Sequence, residues 1–182
     1  MTDDIIKPWI DIGYEIFSKL GPTGLKVEGI AKLANKNKSS FYHHFADMEY
    51  FTQCLLTHHL QRTNPIAIRA KKCTCIVPDL LFLLIDIKQD LLFNRQLRIN
   101  RHLPEFKMCF ENANKPVENA FIKIWSEALG LQEKEDLAKI VLNLAVENFY
   151  LQITEETLTY DWLLDYFNEI RKMVIGFKKI SK

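Results

Sequence analysis

The stretch from Ile30 to Phe45, Ile-Ala-Lys-Leu-Ala-Asn-Lys-Asn-Lys-Ser-Ser-Phe-Tyr-His-His-Phe, constrains the fold more than any other part of the chain. Apolar residues recur at helical spacing on both sides of Asn35-Lys36-Asn37, which predicts two short helices joined by a tight turn. Asn35 tolerates the left-handed backbone that a turn requires. Asn37 is placed as an N-cap, its side-chain oxygen accepting from the Ser39 or Ser40 amide, for a helix from about Lys38 to His44. Phe41 and Phe45 lie one turn apart and pin that helix to its neighbours, which leaves Lys38, Ser39, Ser40, Tyr42 and His43 toward the open side. Small hydroxyl residues at the tip let the backbone come close to a duplex and donate to phosphates or base edges. From Lys32 to Phe45 there are three Lys and no acid.

The flanks support a compact bundle. Trp9, Ile12, Gly13, Ile16, Phe17 and Leu20 make one helix face, closed by Gly21-Pro22, with Pro8 expected in the first turn. Val27, Ile30, Ala31 and Ala34 make the face of a second helix. Asp47 restarts the chain as a fourth helix, with Phe51, Cys54, Leu55 and His58 inward and a break at Asn64-Pro65.

Pattern and composition indicate an all-α chain. A short helix is expected over 65–75, a helical segment over 80–100 interrupted at Lys88-Gln89-Asp90, and a helix over 104–129 kinked or broken at Pro116. Two more helices are expected over 132–154 and 158–177, and no segment alternates with period two. With 48% hydrophobic residues the chain is far from the composition of disordered proteins. Its net charge of +1 gives no global basic signal, so any nucleic-acid binding must come from a local patch. The longest apolar run, Leu80-Leu-Phe-Leu-Leu-Ile85, is far short of the roughly 20 residues of a membrane span. Four Cys in 182 residues make no disulfide scaffold. A soluble, cytoplasmic protein with no membrane association is expected.

Residues 9–60 resemble the TetR family of bacterial transcriptional regulators. Gly24-Leu25, Val27, Ile30-Ala31, Ala34, Asn37-Lys38, Ser40-Phe41-Tyr42 and His44-Phe45 stand at the positions of the family pattern. The resemblance implies a three-helix helix-turn-helix domain over 1–46. It also implies a larger helical domain for effector binding and dimerisation over 47–182, with the helix from Asp47 as connector. Lys26, Lys36, Asn37, Lys38, Ser39, Ser40, Tyr42, His43 and His44 would then be the DNA-binding residues. The expected partners are double-stranded DNA, a second copy of the chain and an unidentified small-molecule effector. Lys26, Asn35, Lys36 and Met48 depart from the family pattern, and operator binding weaker and more salt-sensitive than usual is expected. The rival expectation is a helical ligand-binding or interaction protein with degenerate DNA binding.

The last two helices carry apolar residues on two faces each, more than a helix resting on one core needs. Leu137, Ile140, Val141, Leu144 and Asn148 form one stripe, and Leu142, Val146, Phe149 and Ile153 another. The final helix carries Trp162, Leu163, Tyr166, Phe167, Ile170 and Val174. A central core helix in a monomer would show the same pattern; the family resemblance implies instead that this pair forms a dimer interface. Phe82, Asp86, Phe106, Cys109, Phe110, Trp125, Asn143 and Glu147 are candidates for an effector pocket, since aromatics with a few polar groups line pockets and cores alike. Cys73-Thr-Cys75, with Cys54 and His58-His59, has tighter spacing than metal sites prefer, so no metal and no cofactor is expected. No catalytic motif occurs, and the chain is not expected to be an enzyme.

Overall fold

The computed structural model describes residues 2–180, with side chains from 5 to 176. Among these residues every regular element is helical: α1 (Thr2–Leu20), α2 (Val27–Leu33), α3 (Lys38–His44), α4 (Met48–Lys72), α5 (Leu81–Asp86), α6 (Lys88–Ile99), α7 (Pro104–Ala128), α8 (Glu135–Gln152) and α9 (Tyr160–Ile180). The expected all-α class holds. Three boundaries differ from expectation because tertiary packing overrides the local signal. Pro8 lies inside α1, not in its first turn. Pro65 lies inside the continuous helix α4, and α7 runs through Pro116 as one helix, as the 104–129 segment led one to expect. Both prolines are exposed, as are Gln61 and Asn112 one turn before them, so each freed carbonyl is open to water while buried neighbours hold the helix. The interruption expected at 88–90 falls at Ile87, between α5 and α6.

The chain forms two compact units, one of residues 1–62 with 89–113 and the other of 63–88 with 114–182. The first thus takes in more than the 1–46 segment read from the sequence, because Phe93, Leu97, Phe106 and Cys109 join the core built by α1–α4. That core is largely aromatic. Phe41 meets Trp9 edge-on with ring centroids 5.7 Å apart, Phe51 at 5.3 Å and Phe45 at 5.1 Å. Phe93 stacks on both Tyr14 and Phe17, at 4.4 and 4.3 Å. Gly13 permits the close approach of α1 and α4: a Cβ there would stand 2.4 Å from Phe51 Cζ. The chain leaves α1 through Gly21, whose φ of 69° is the left-handed conformation glycine accepts without strain.

A polar network runs through this unit between α1, α4 and α6. Arg62 forks onto Asp90, with Nη2 donating to Oδ2 at 2.8 Å, and Tyr14 donates to Asp90 Oδ1 at 2.8 Å. His59 Nδ1 lies 2.6 Å from the Tyr14 hydroxyl and Nε2 lies 3.0 Å from the Asn94 side-chain amide. Asp90 and His59 are each 2% exposed. Burial alone would raise the Asp90 carboxyl, but hydrogen bonds and charge from Arg62, with help from Tyr14, hold it below its usual range. Burial pulls His59 down to about 4, so the ring is neutral near pH 7.

The second unit buries Trp125, Leu129 and Leu131 with Ala138, Leu142, Phe149 and Ile153 of α8 and its exit, and Leu163, Phe167, Ile170 and Val174 of α9. Trp125 donates its indole N–H to the Ala138 carbonyl at 3.2 Å. Tyr150 donates to Asn114 Oδ1 at 2.8 Å.

Candidate nucleic-acid interface

The turn between α2 and α3 is a Schellman closure made without glycine. Asn35 takes φ 51°. Its N–H bonds the Lys32 carbonyl at 3.2 Å, and the Lys36 N–H bonds the Ala31 carbonyl at 2.9 Å. Asn37 then caps α3, its Oδ1 accepting from the Ser40 N–H at 2.7 Å. Asp47 caps α4 in the same way, accepting from the Tyr50 N–H at 2.7 Å. Asn37 thus fixes the start of a seven-residue helix that could not persist alone, and at its end the Phe45 N–H bonds the Phe41 carbonyl. Phe41 and Phe45, 0% and 1% exposed, seat it on the core.

With its inner face pinned, α3 presents the other side to solvent. Lys38, Ser39, Tyr42 and His43 are exposed, and Ser40 and His44 are half-buried. Tyr42 is 56% exposed even though its ring meets Phe41 edge-on. Lys26, Lys36 and Asn37 are also exposed. The nine residues expected at a DNA interface therefore lie on α3, on the turn before it and at the residue preceding α2. One acid missed from sequence joins them: Lys38 donates to Glu28 Oε1 from across the turn. Reading charge only from Lys32 onward hid this pair, because Glu28 lies one helix earlier. That hydrogen bond, with the charge of Lys38, holds the Glu28 carboxyl below its usual range.

No protein-family profile matches this sequence, and no curated protein matches it. Among solved structures it is similar to one described as a transcriptional regulator (TerR/AcrR family) from Aquifex aeolicus VF5. The TM-score is 0.60 at 19% identity, covering 97% of this chain and 99% of that one. The chain has the fold of the TetR-family transcriptional regulators. A structure assigned to the TetR family of transcriptional regulators from Rhodococcus sp. matches with TM-score 0.50 at 14% identity, over 98% of both chains. The match extends over 97% of the chain, far beyond the residues that carry the sequence resemblance.

The other predicted sites divide differently in this fold. On α8, Leu137, Ile140 and Leu144 are 42%, 56% and 63% exposed, with Asn148 exposed and Val141 half-buried beside them. Leu151, 63% exposed, extends the stripe. Trp162 and Tyr166 of α9 adjoin it, stacked at 5.2 Å, and Tyr166 donates to the Ala145 carbonyl at 2.6 Å. Leu163, Phe167, Ile170 and Val174 correct the expectation: they face the core of their own unit, because one helix face cannot serve both core and partner. Met173, 47% exposed, takes their place on the outer face.

The residues expected to line an effector pocket divide between the two units. Phe82 is 57% exposed and packs on Tyr160; Asp86 is exposed and paired with Arg69 at 2.7 Å; Asn143 is exposed. Trp125 is packed in the second core, and Glu147 is half-buried in that unit. Phe106, Cys109 and Phe110 belong to the first unit, where burial pushes the Cys109 thiol up to about 12. A cleft of about 370 Å³ on α9, lined by Asp165, Asn168, Glu169, Arg171, Lys172 and Ile175, contains none of them. Among the described residues no three His, Cys, Asp or Glu side chains are grouped to hold a metal ion, and no helix is long and apolar enough to cross a membrane.

Proposed function

We propose that this chain is a DNA-binding transcriptional regulator, acting as a repressor in the cytoplasm, that grips a pseudo-palindromic operator as a homodimer. The observation that carries this reading is the α3 surface: a short helix capped by Asn37, anchored by Phe41 and Phe45, with lysine, hydroxyl and aromatic groups turned outward. A helix so held enters the major groove, where Ser39, Ser40 and His43 reach toward base edges. Tyr42, His44, Lys26, Lys36 and Asn37 bind the flanking phosphates and set the register. The exposed α8–α9 stripe is the dimer face, since an apolar patch of this length on a soluble protein marks an interaction surface. Two copies related by a two-fold axis place two α3 helices in half-sites one helical turn or a multiple apart. A small molecule that binds the second unit modulates affinity through its own differential affinity for two states of the dimer.

Retention of the chain's own upstream intergenic DNA in a gel shift tests this. The K38A/Y42A double variant is expected to lose retention while its sedimentation stays that of the parent. Wild-type binding is expected to fall steeply between low and moderate salt, as phosphate contacts require. Retention unchanged by the double substitution would remove the proposal.

A further inference from the structure

We infer that Glu28 and Lys38 act together as a reader of one G·C base pair in each half-site. This rests on the proposed duplex binding and goes further, assigning part of the sequence preference to an acid on α2. The two side chains meet across the α2–α3 turn, yet Glu28 stays 66% exposed and Lys38 56%. Each therefore keeps unused valences pointing outward: free lone pairs on the carboxylate, free N–H groups on the ammonium.

An acid on a surface that meets a polyanion is opposed by every phosphate, so for affinity alone Glu28 is a cost. It becomes favourable only against a donor, and in the major groove the donors are the cytosine N4 and adenine N6 amino groups. Its neighbour decides between them. An ammonium seeks acceptors, and guanine offers two, N7 and O6, beside the cytosine amino group of the same pair. An A·T pair offers its acceptors on either side of the adenine amino group, and a methyl beyond. A carboxylate and an ammonium side by side match the G·C edge. Because they already hold each other, less side-chain freedom is lost on binding.

A second observation brings the duplex onto α2. Gly29 is exposed beside Glu28, and a Cβ built on it meets nothing within 4 Å. Nothing in the chain requires glycine there, and glycine is a poor helix former. A surface that must close on α2 does require it.

Selection of bound duplexes from a pool with a randomised centre, using the full chain and sequencing the survivors, tests this. The wild type is expected to enrich one G·C pair per half-site. E28A should lose about tenfold of that preference at this position alone, and E28Q should move it toward A·T, because a glutamine amide suits adenine. G29A should melt at higher temperature, as a better helix former, yet bind every duplex more weakly. Circular dichroism establishes that each variant folds. Unchanged preferences in E28A, or uniformly tighter binding, would overturn the inference and leave Glu28 a charge that only masks Lys38. Unchanged binding by G29A would overturn it too, since the adjacent carboxylate would then stand beyond reach of the bases. If the wild type enriches nothing, duplex binding fails, and this reading fails with it.

Discussion

His59 shows how one side chain ties the first unit to pH. Its Nδ1 lies 2.6 Å from the Tyr14 hydroxyl, which donates to Asp90 Oδ1. Nε2 lies 3.0 Å from Asn94 Oδ1. In the unfolded chain the ring takes its proton near 6.5, and in the folded chain only near 4. The unfolded state therefore binds more protons between these values, and stability is full above about 6.5 and lost as pH falls toward 4. The loss should reach about 3 kcal/mol, read as a falling urea midpoint over that window, and H59Q should flatten the slope. Asp90, whose carboxyl is also held down, adds its loss at still lower pH. A wild-type midpoint constant from pH 7 to 4.5 would contradict this. Little of the network was legible beforehand, because Tyr14, the His59–Arg62 turn and the Asp90–Asn94 turn come from three helices far apart in sequence.

At the scale of elements, the helices whose ends are chemically marked were readable. Asn37, Asp47 and Gly21 stand where a cap or stop was expected, because caps are local hydrogen bonds between neighbours. Proline misled where a helix had enough buried contacts to carry it, as at Pro65. The contact of α1 with α4 turns on Gly13. G13A adds a methyl that must displace the Phe51 ring, itself fully buried against Phe41 and Phe45. Overpacking of this kind costs about 1–3 kcal/mol, partly offset by the better helix propensity of alanine, roughly 1 kcal/mol. A net fall of several degrees in melting temperature is expected. A variant as stable as the parent would show that Phe51 can move aside.

For the whole molecule, the expected assembly depends on a stripe that the single chain leaves in water. Leu144 lies at its middle, 63% exposed. L144E should leave the fold of the monomer intact, since it adds a charge to a solvent-facing site. It should weaken dimerisation by on the order of 30-fold, about 2 kcal/mol. Equilibrium sedimentation reads the shift, and operator affinity should fall with it, because one α3 helix alone makes half the contacts. A dimer of undiminished strength would place the partner face elsewhere. The near-neutral charge of the chain and the basic character of its α3 tip are compatible for the same reason: charge acts locally, within about 10 Å at ordinary salt.

Sequence by itself determined the helical class, the α2-turn-α3 arrangement and the outward set of α3, because periodicity, capping and a few aromatic anchors act between near neighbours. It also showed that α8 and α9 have two apolar faces each. Only the tertiary structure decided which face is which: Leu163, Phe167, Ile170 and Val174 inward, Leu137, Ile140 and Leu144 outward. It alone brought Glu28 to Lys38 and closed the Tyr14, Asp90 and His59 network. Those outcomes depend on which helices meet in space, and a hydrophobic residue looks the same in sequence whether it meets its own core or another molecule.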